Sequence, residues 1–116
     1  MLPRNVTAGP RVQLHLHAQA TLREYRELRE FARFCIEAIE KDIGRADRWT
    51  IKITPNGVCY SGEVIVEHRG AVIRTDGTGF DGAVAGRDAF CKVDKLLREN
   101  CVLADVRNPE LARVAR

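Results

Sequence analysis

The chain predicts an α+β two-layer sandwich of order β-α-β-β-β-α, with two helices on one face of a four-stranded sheet. Three observations predict it. The hydrophobic period alternates at Val12, Leu14 and Leu16, turns helical over residues 22 to 43, alternates again from Trp49 to Thr75, and turns helical once more near Asp81. Asn56-Gly57 and Arg69-Gly70 place reversals between alternating runs, so the last three strands are antiparallel neighbours. The long helical connection after the first strand instead permits parallel pairing. Its right-handed crossover lays the first helix on the sheet face that the second helix also covers.

The first strand alternates Val12, Leu14 and Leu16 with Gln13, His15 and His17. Thr21 with Glu24 then matches a capping box, in which hydroxyl and carboxylate each satisfy an amide of the first helical turn. Tyr25, Leu28, Ala32, Cys35, Ile36, Ile39 and Ile43 form one apolar face, and Gly44 stops the helix. That face needs a flat partner. The next run supplies it, because Trp49, Ile51 and Ile53 point one way while Arg48, Thr50, Lys52 and Thr54 point the other. Thr54-Pro55-Asn56-Gly57 is the strongest turn signal, and residues 68 to 70 read as a looser reversal. With Val64 and Val66 inward, Ile65 falls on the open sheet face beside His15, His17 and Thr50. Residues 75 to 79, with two glycines, read as a linker to a second helix capped by Thr78 or Asp81, whose inner face carries Ala83, Gly86, Phe90, Val93 and Leu97. The expected organisation is a flexible N-terminal segment (1–10), one domain (11–100) and a C-terminal tail (101–116) that contains Pro109.

At 116 residues, 45% hydrophobic and 30% charged, the chain has room for one core that buries about 70% of the unfolded surface. No apolar run approaches the roughly 20 residues of a membrane span, and residues 1 to 10 lack the apolar stretch of a secretory signal, so the expected location is cytoplasmic with no membrane partner. The four cysteines have no paired spacing and read as reduced thiols, with Cys35 toward the core, Cys91 nearer the polar face and Cys59 in a strand. His15 and His17 are the one close-spaced pair of metal-ligand type. Third and fourth ligands are missing, so they read as imidazoles on a solvated sheet face, with no metal or cofactor. Gly77-Thr78-Gly79-Phe80 precedes a helix but lacks phosphate-loop spacing, and nothing in the chain brings Cys59 to His68 or His15 as a thiol and base. No catalytic residue and no small-molecule substrate is expected, and the protein reads as a non-enzyme.

Asp81 with Ala85, followed by Ala89-Phe90-Cys91-Lys92-Val93-Asp94-Lys95-Leu96-Leu97-Arg98, is similar to the second helix of the ribosome hibernation-promoting factor family, also called the sigma-54 modulation protein family. Leu22-Arg23-Glu24-Tyr25 resembles the start of its first helix. The resemblance spans residues 11 to 100 and corresponds to the short form. Ala83, Gly86 and Arg87 depart from it, standing where the family usually has a tyrosine, a branched aliphatic residue and an aspartate. The resemblance implies a non-catalytic protein that binds 16S rRNA in the small ribosomal subunit, in the channel of messenger and transfer RNA, and keeps an idle ribosome inactive. The positions it implies as rRNA contacts are Arg23, Arg26, Arg87, Lys92, Lys95 and Arg98, and helical geometry extends the first group to Arg29 and Arg33. Guanidinium groups suit the task because their planar donor fork grips phosphate oxygens and stacks on unpaired bases.

Charge counting offers a competing account. Residues 21–44 hold five basic and six acidic side chains, and residues 81–100 hold four of each, so neither helix is a net basic surface. Arg23 with Glu27, Arg26 with Glu30 and Arg33 with Glu37 are spaced for pairing along a solvated helix. Phe34 projects to the polar side of that helix, where it either suits a base or the pocket of a protein partner or stands as a lone exposed apolar residue. The alternative function is therefore a non-catalytic protein- or RNA-interaction module of related fold that does not bind ribosomes.

Overall fold

In the computed structural model, residues 5–9 and 11–107 are described, with side chains described for residues 11–99. The first alternating run forms β2 (Val12–Leu16) and leads into α1 (Leu22–Ile43). Thr21 caps α1 as its spacing requires: its hydroxyl accepts from the Glu24 amide at 3.0 Å, and Gly44 ends the helix at φ 93° with its amide bonded to the Glu40 carbonyl. Three strands follow, β3 (Arg48–Asn56), β4 (Cys59–His68) and β5 (Ala71–Gly79), and α2 (Gly82–Arg107) is the last described element.

The expected α+β class, crossover and hairpins are all present. β2 pairs parallel with β3, Leu14 opposite Ile51, and β3-β4-β5 form an antiparallel meander. Both helices lie on the face that carries Leu14, Trp49, Ile51, Ile53, Val64, Val66 and Ile73, and these side chains pack with Ile36, Ile39, Phe90, Val93 and Leu97 into one core. Trp49 is fully buried at its centre, 5.9 Å from the Phe90 ring.

Several expectations are corrected. Among the described residues the sheet has five strands, because Asn5–Gly9 forms β1 against β2; the free edge of β2 has backbone groups that a fifth strand can satisfy. Residues 75–79 are not a linker. They complete β5, with Gly62 opposite Gly77 and Tyr60 opposite Gly79. Glycine serves there because α2 sits directly on the strands: a Cβ on Gly77 would lie 2.4 Å from the Ala85 carbonyl oxygen, and one on Gly62 2.7 Å from the same atom. α2 runs to Arg107, past the expected boundary at residue 100, while residues 108–116 of the expected tail, including Pro109, lie outside the described residues. Asp81, not Thr78, caps α2, its carboxylate accepting from the Val84 amide at 2.8 Å. With the helix phase set there, Ala85 and Ala89 face the sheet and Ala83 is exposed.

Both hairpins close through two residues. Asn56 remains in β3 and the first turns at Gly57-Val58, with positive φ at Gly57 and not at Val58, the pattern of a type II′ turn. The second is tighter than expected. Arg69 at φ 51° and Gly70 at φ 80° give the two successive positive angles of a type I′ turn.

Candidate nucleic-acid interface

Helix direction decides how the basic residues are displayed. α1 runs antiparallel to β2 and α2 antiparallel to β5, and β2, β3 and β5 point the same way, so the two helices are parallel. Their contacts follow that register: Phe31 packs edge-on to Phe90 with centroids 6.2 Å apart, and Arg98 of α2 bonds Asp42 of α1 at 2.7 Å. At Gly86 the interface is tight. An added Cβ would meet Phe31 at 3.4 Å and Ile53 at 3.3 Å, so Phe31 takes the space that a branched aliphatic side chain would need.

The eight expected RNA-binding residues are all exposed, but they do not form one patch. Arg29 and Arg33 border a groove of about 190 Å³ between α1 and β2, floored by Val12, Leu14, Ala32 and Ile36, and helical spacing adds Arg26 to the same flank. Arg23 lies on the outer surface of α1, as does Phe34, which is 72% exposed. On α2, Arg87, Lys95 and Arg98 follow one outer stripe, whereas Lys92 leans over β5 and donates to the Asp76 carbonyl at 2.8 Å.

Most of these cations are already engaged. Arg23 bonds Glu27 at 3.0 Å, Arg29 and Arg33 approach Glu30 at 3.8 and 3.7 Å, Lys92 pairs with Asp88 at 3.3 Å, and Arg98 bridges Asp94 and Asp42. The expected Arg26–Glu30 and Arg33–Glu37 pairs are replaced by these. Hydrogen bonds from Arg98 hold the Asp42 carboxyl below its usual range, and Asp88 is lowered likewise by the Thr78 amide and Lys92. Arg26, Arg87 and Lys95 have no ion-pair partner among the described residues. Exposed pairs of this kind contribute only about 0–1 kcal/mol each.

The histidine pair separates. His15 stays on the open sheet face opposite Lys52, where burial and then the lysine charge lower its pKa. β2 ends at Leu16, so alternation stops and His17 turns to the helix side, with its ring 6.4 Å from Tyr60 and 3.9 Å from the Glu24 carboxylate. It lines a cleft of about 240 Å³ at the aligned helix starts, with Leu16, Leu28, Ile53, Tyr60 and Asp81. Sequence reasoning did not find this cleft, because it exists only where two helix starts and three strand ends meet. Among the described residues no three metal-ligating side chains converge, and no helix is long and apolar enough to cross a membrane.

No protein-family model matches the sequence, and no curated protein matches it. Solved structures do. A ribosomal subunit interface protein from Coxiella burnetii superposes with a TM-score of 0.67 at 13% identity, over 79% of this chain and 98% of that one. The chain has the fold of that ribosomal subunit interface protein. The Thermus thermophilus Protein Y N-terminal domain agrees, with a TM-score of 0.62 at 11% identity over 78% of this chain and 94% of that one. At such identities the likeness is one of fold, and it is the fold that the helical phrases at Leu22 and Asp81 had suggested.

Proposed function

We propose that the protein is a non-catalytic, cytoplasmic, ribosome-associated protein that binds 16S rRNA of the small subunit and keeps idle ribosomes inactive. The observation that carries this reading is the superposition on nearly the whole of a ribosomal subunit interface protein. The charge display is compatible with it. The outer stripe of Arg87, Lys95 and Arg98 and the groove flank of Arg26, Arg29 and Arg33 offer phosphate ligands on both helices, and the groove has an apolar floor against which a base can stack. Weak surface ion pairs cost little to exchange, so binding should be dominated by phosphate contacts and fall steeply with salt.

The test is cosedimentation of the purified protein with small ribosomal subunits across a salt series. Stoichiometric pelleting that is lost as salt rises supports the reading. Absence of pelleting at low salt overturns it and favours the second reading, a protein-interaction module, for which the 72% exposure of Phe34 is the specific observation.

A further inference from the structure

We propose that Cys35 and Cys91 form a redox pair that closes a disulfide across the α1–α2 interface when the protein meets a peroxide. The geometry comes from the parallel helices. Arg98 bonds Asp42 across the interface at an offset of 56 residues, and Cys91 follows Cys35 by the same offset, two helical turns nearer the helix starts. One residue before Cys91, Phe90 packs on Phe31, which is one turn before Cys35. Contacts on both sides of the two cysteines therefore hold their turns opposite each other.

Their environments differ in the way such a pair requires. Cys91 is exposed and meets solvent oxidants first, whereas Cys35 is half-buried in the seam. The Cys35 thiol is pushed up to about 11, by burial first and then by the charge of Cys91. At neutral pH little Cys35 thiolate is therefore present, which protects Cys35 from direct oxidation and leaves its attack on Cys91 to depend on proximity.

The chemistry balances with hydrogen peroxide as the oxidant. The Cys91 thiolate attacks one peroxide oxygen, the O–O bond breaks, and hydroxide leaves to take up a proton as water, giving the sulfenic acid. Cys35 then loses its proton and its sulfur attacks Cys91 Sγ. The S–S bond forms, the S–O bond breaks, and the departing hydroxide is protonated to a second water. The bridge would lie in the outer stripe of α2 between Arg87 and Lys95 and would tie that turn to α1. The inference does not rest on ribosome binding.

The test uses the full chain. Protein oxidised with equimolar hydrogen peroxide is blocked with N-ethylmaleimide, digested with trypsin without reduction and mapped by mass. The expected product joins the peptide of residues 34–41 to that of residues 88–92 with the loss of two hydrogens, disappears on dithiothreitol treatment, and is accompanied by a reversible rise in thermal midpoint. In Cys35→Ser, Cys91 should remain as a sulfenic acid that dimedone labels. The proposal is overturned if wild-type Cys35 remains fully alkylated while Cys91 is oxidised, or if Cys91 couples instead to Cys59, Cys101 or a second chain. Mapping of the wild-type protein decides the matter even where the serine variant folds poorly.

Discussion

The Trp49 indole N–H donates to Glu40 Oε2 at 3.1 Å, which ties the centre of the sheet to the last turn of α1. The same oxygen accepts the Ala46 amide at 2.8 Å, and Arg11 grips both carboxylate oxygens while also reaching the Ala46 carbonyl. Burial of Glu40 raises its pKa, but the hydrogen bonds from Arg11, Ala46 and Trp49 together outweigh it and hold the carboxyl below its usual value. A depressed folded pKa contributes stability that is present above the unfolded value and lost as pH falls through the folded one. Glu40→Ala should cost about 2–4 kcal/mol, since it strands an indole N–H, an amide and a guanidinium. In acid titrations followed by circular dichroism, Glu40→Gln should lose less stability than wild type as pH falls below the usual carboxylate range. Equal acid sensitivity of the two proteins would contradict this account.

Gly77 and Gly62 form a saddle that α2 rests on. Gly77→Ala should destabilise by about 1–3 kcal/mol, because its Cβ meets backbone atoms of Ala85 and Ala89 that no rotamer change can move. Urea denaturation measures it. Gly70 and Gly57 have open space around them and would suffer instead from their positive φ.

Arg69 is the one non-glycine residue with positive φ among the described residues, at the first position of the β4–β5 turn. Arg69→Asn creates Asn-Gly, the pair that type I′ turns favour, and should stabilise the protein by about 0.5–1 kcal/mol, since Arg69 has no ion pair to lose among the described residues. An unchanged or lower thermal midpoint would count against the turn assignment.

For RNA binding, Arg87→Glu with Lys95→Glu should weaken small-subunit association at least tenfold and reduce its salt dependence, with the thermal midpoint unchanged, since neither side chain has a partner to lose among the described residues. Lys92→Glu should behave differently. It removes a hydrogen bond to β5 and places a like charge beside Asp88, so part of its effect should appear as lost stability.

Phe34→Ser removes a side chain that is 72% exposed, and stability should change by less than about 0.5 kcal/mol. A fall in partner binding with no change in urea midpoint would assign Phe34 to an interface, while unchanged binding would make it an isolated surface aromatic.

Periodicity, caps and turns were legible in the chain because each is decided by neighbours in sequence. The α1 face from Tyr25 to Ile43, the Thr21 cap and the alternation from Trp49 to Ile53 depend on spacing alone, and the parallel crossover follows from chirality and connection length. The residues that departed from expectation are those whose role is set by a distant partner. Gly77 reads as a linker until α2 is seen to rest on it, and Asn5–Gly9 reads as a loose end until the open edge of β2 offers it a ladder. His17 looks like the companion of His15 until β2 is seen to end between them. The basic residues show the same division. Helical spacing assigned each arginine to an exposed surface, but whether those surfaces make one patch depends on how two helices pack against a sheet. Packing turned the arginine groups to separate flanks because α1 and α2 bury their apolar stripes against different strands of one face, and charge follows wherever burial points it.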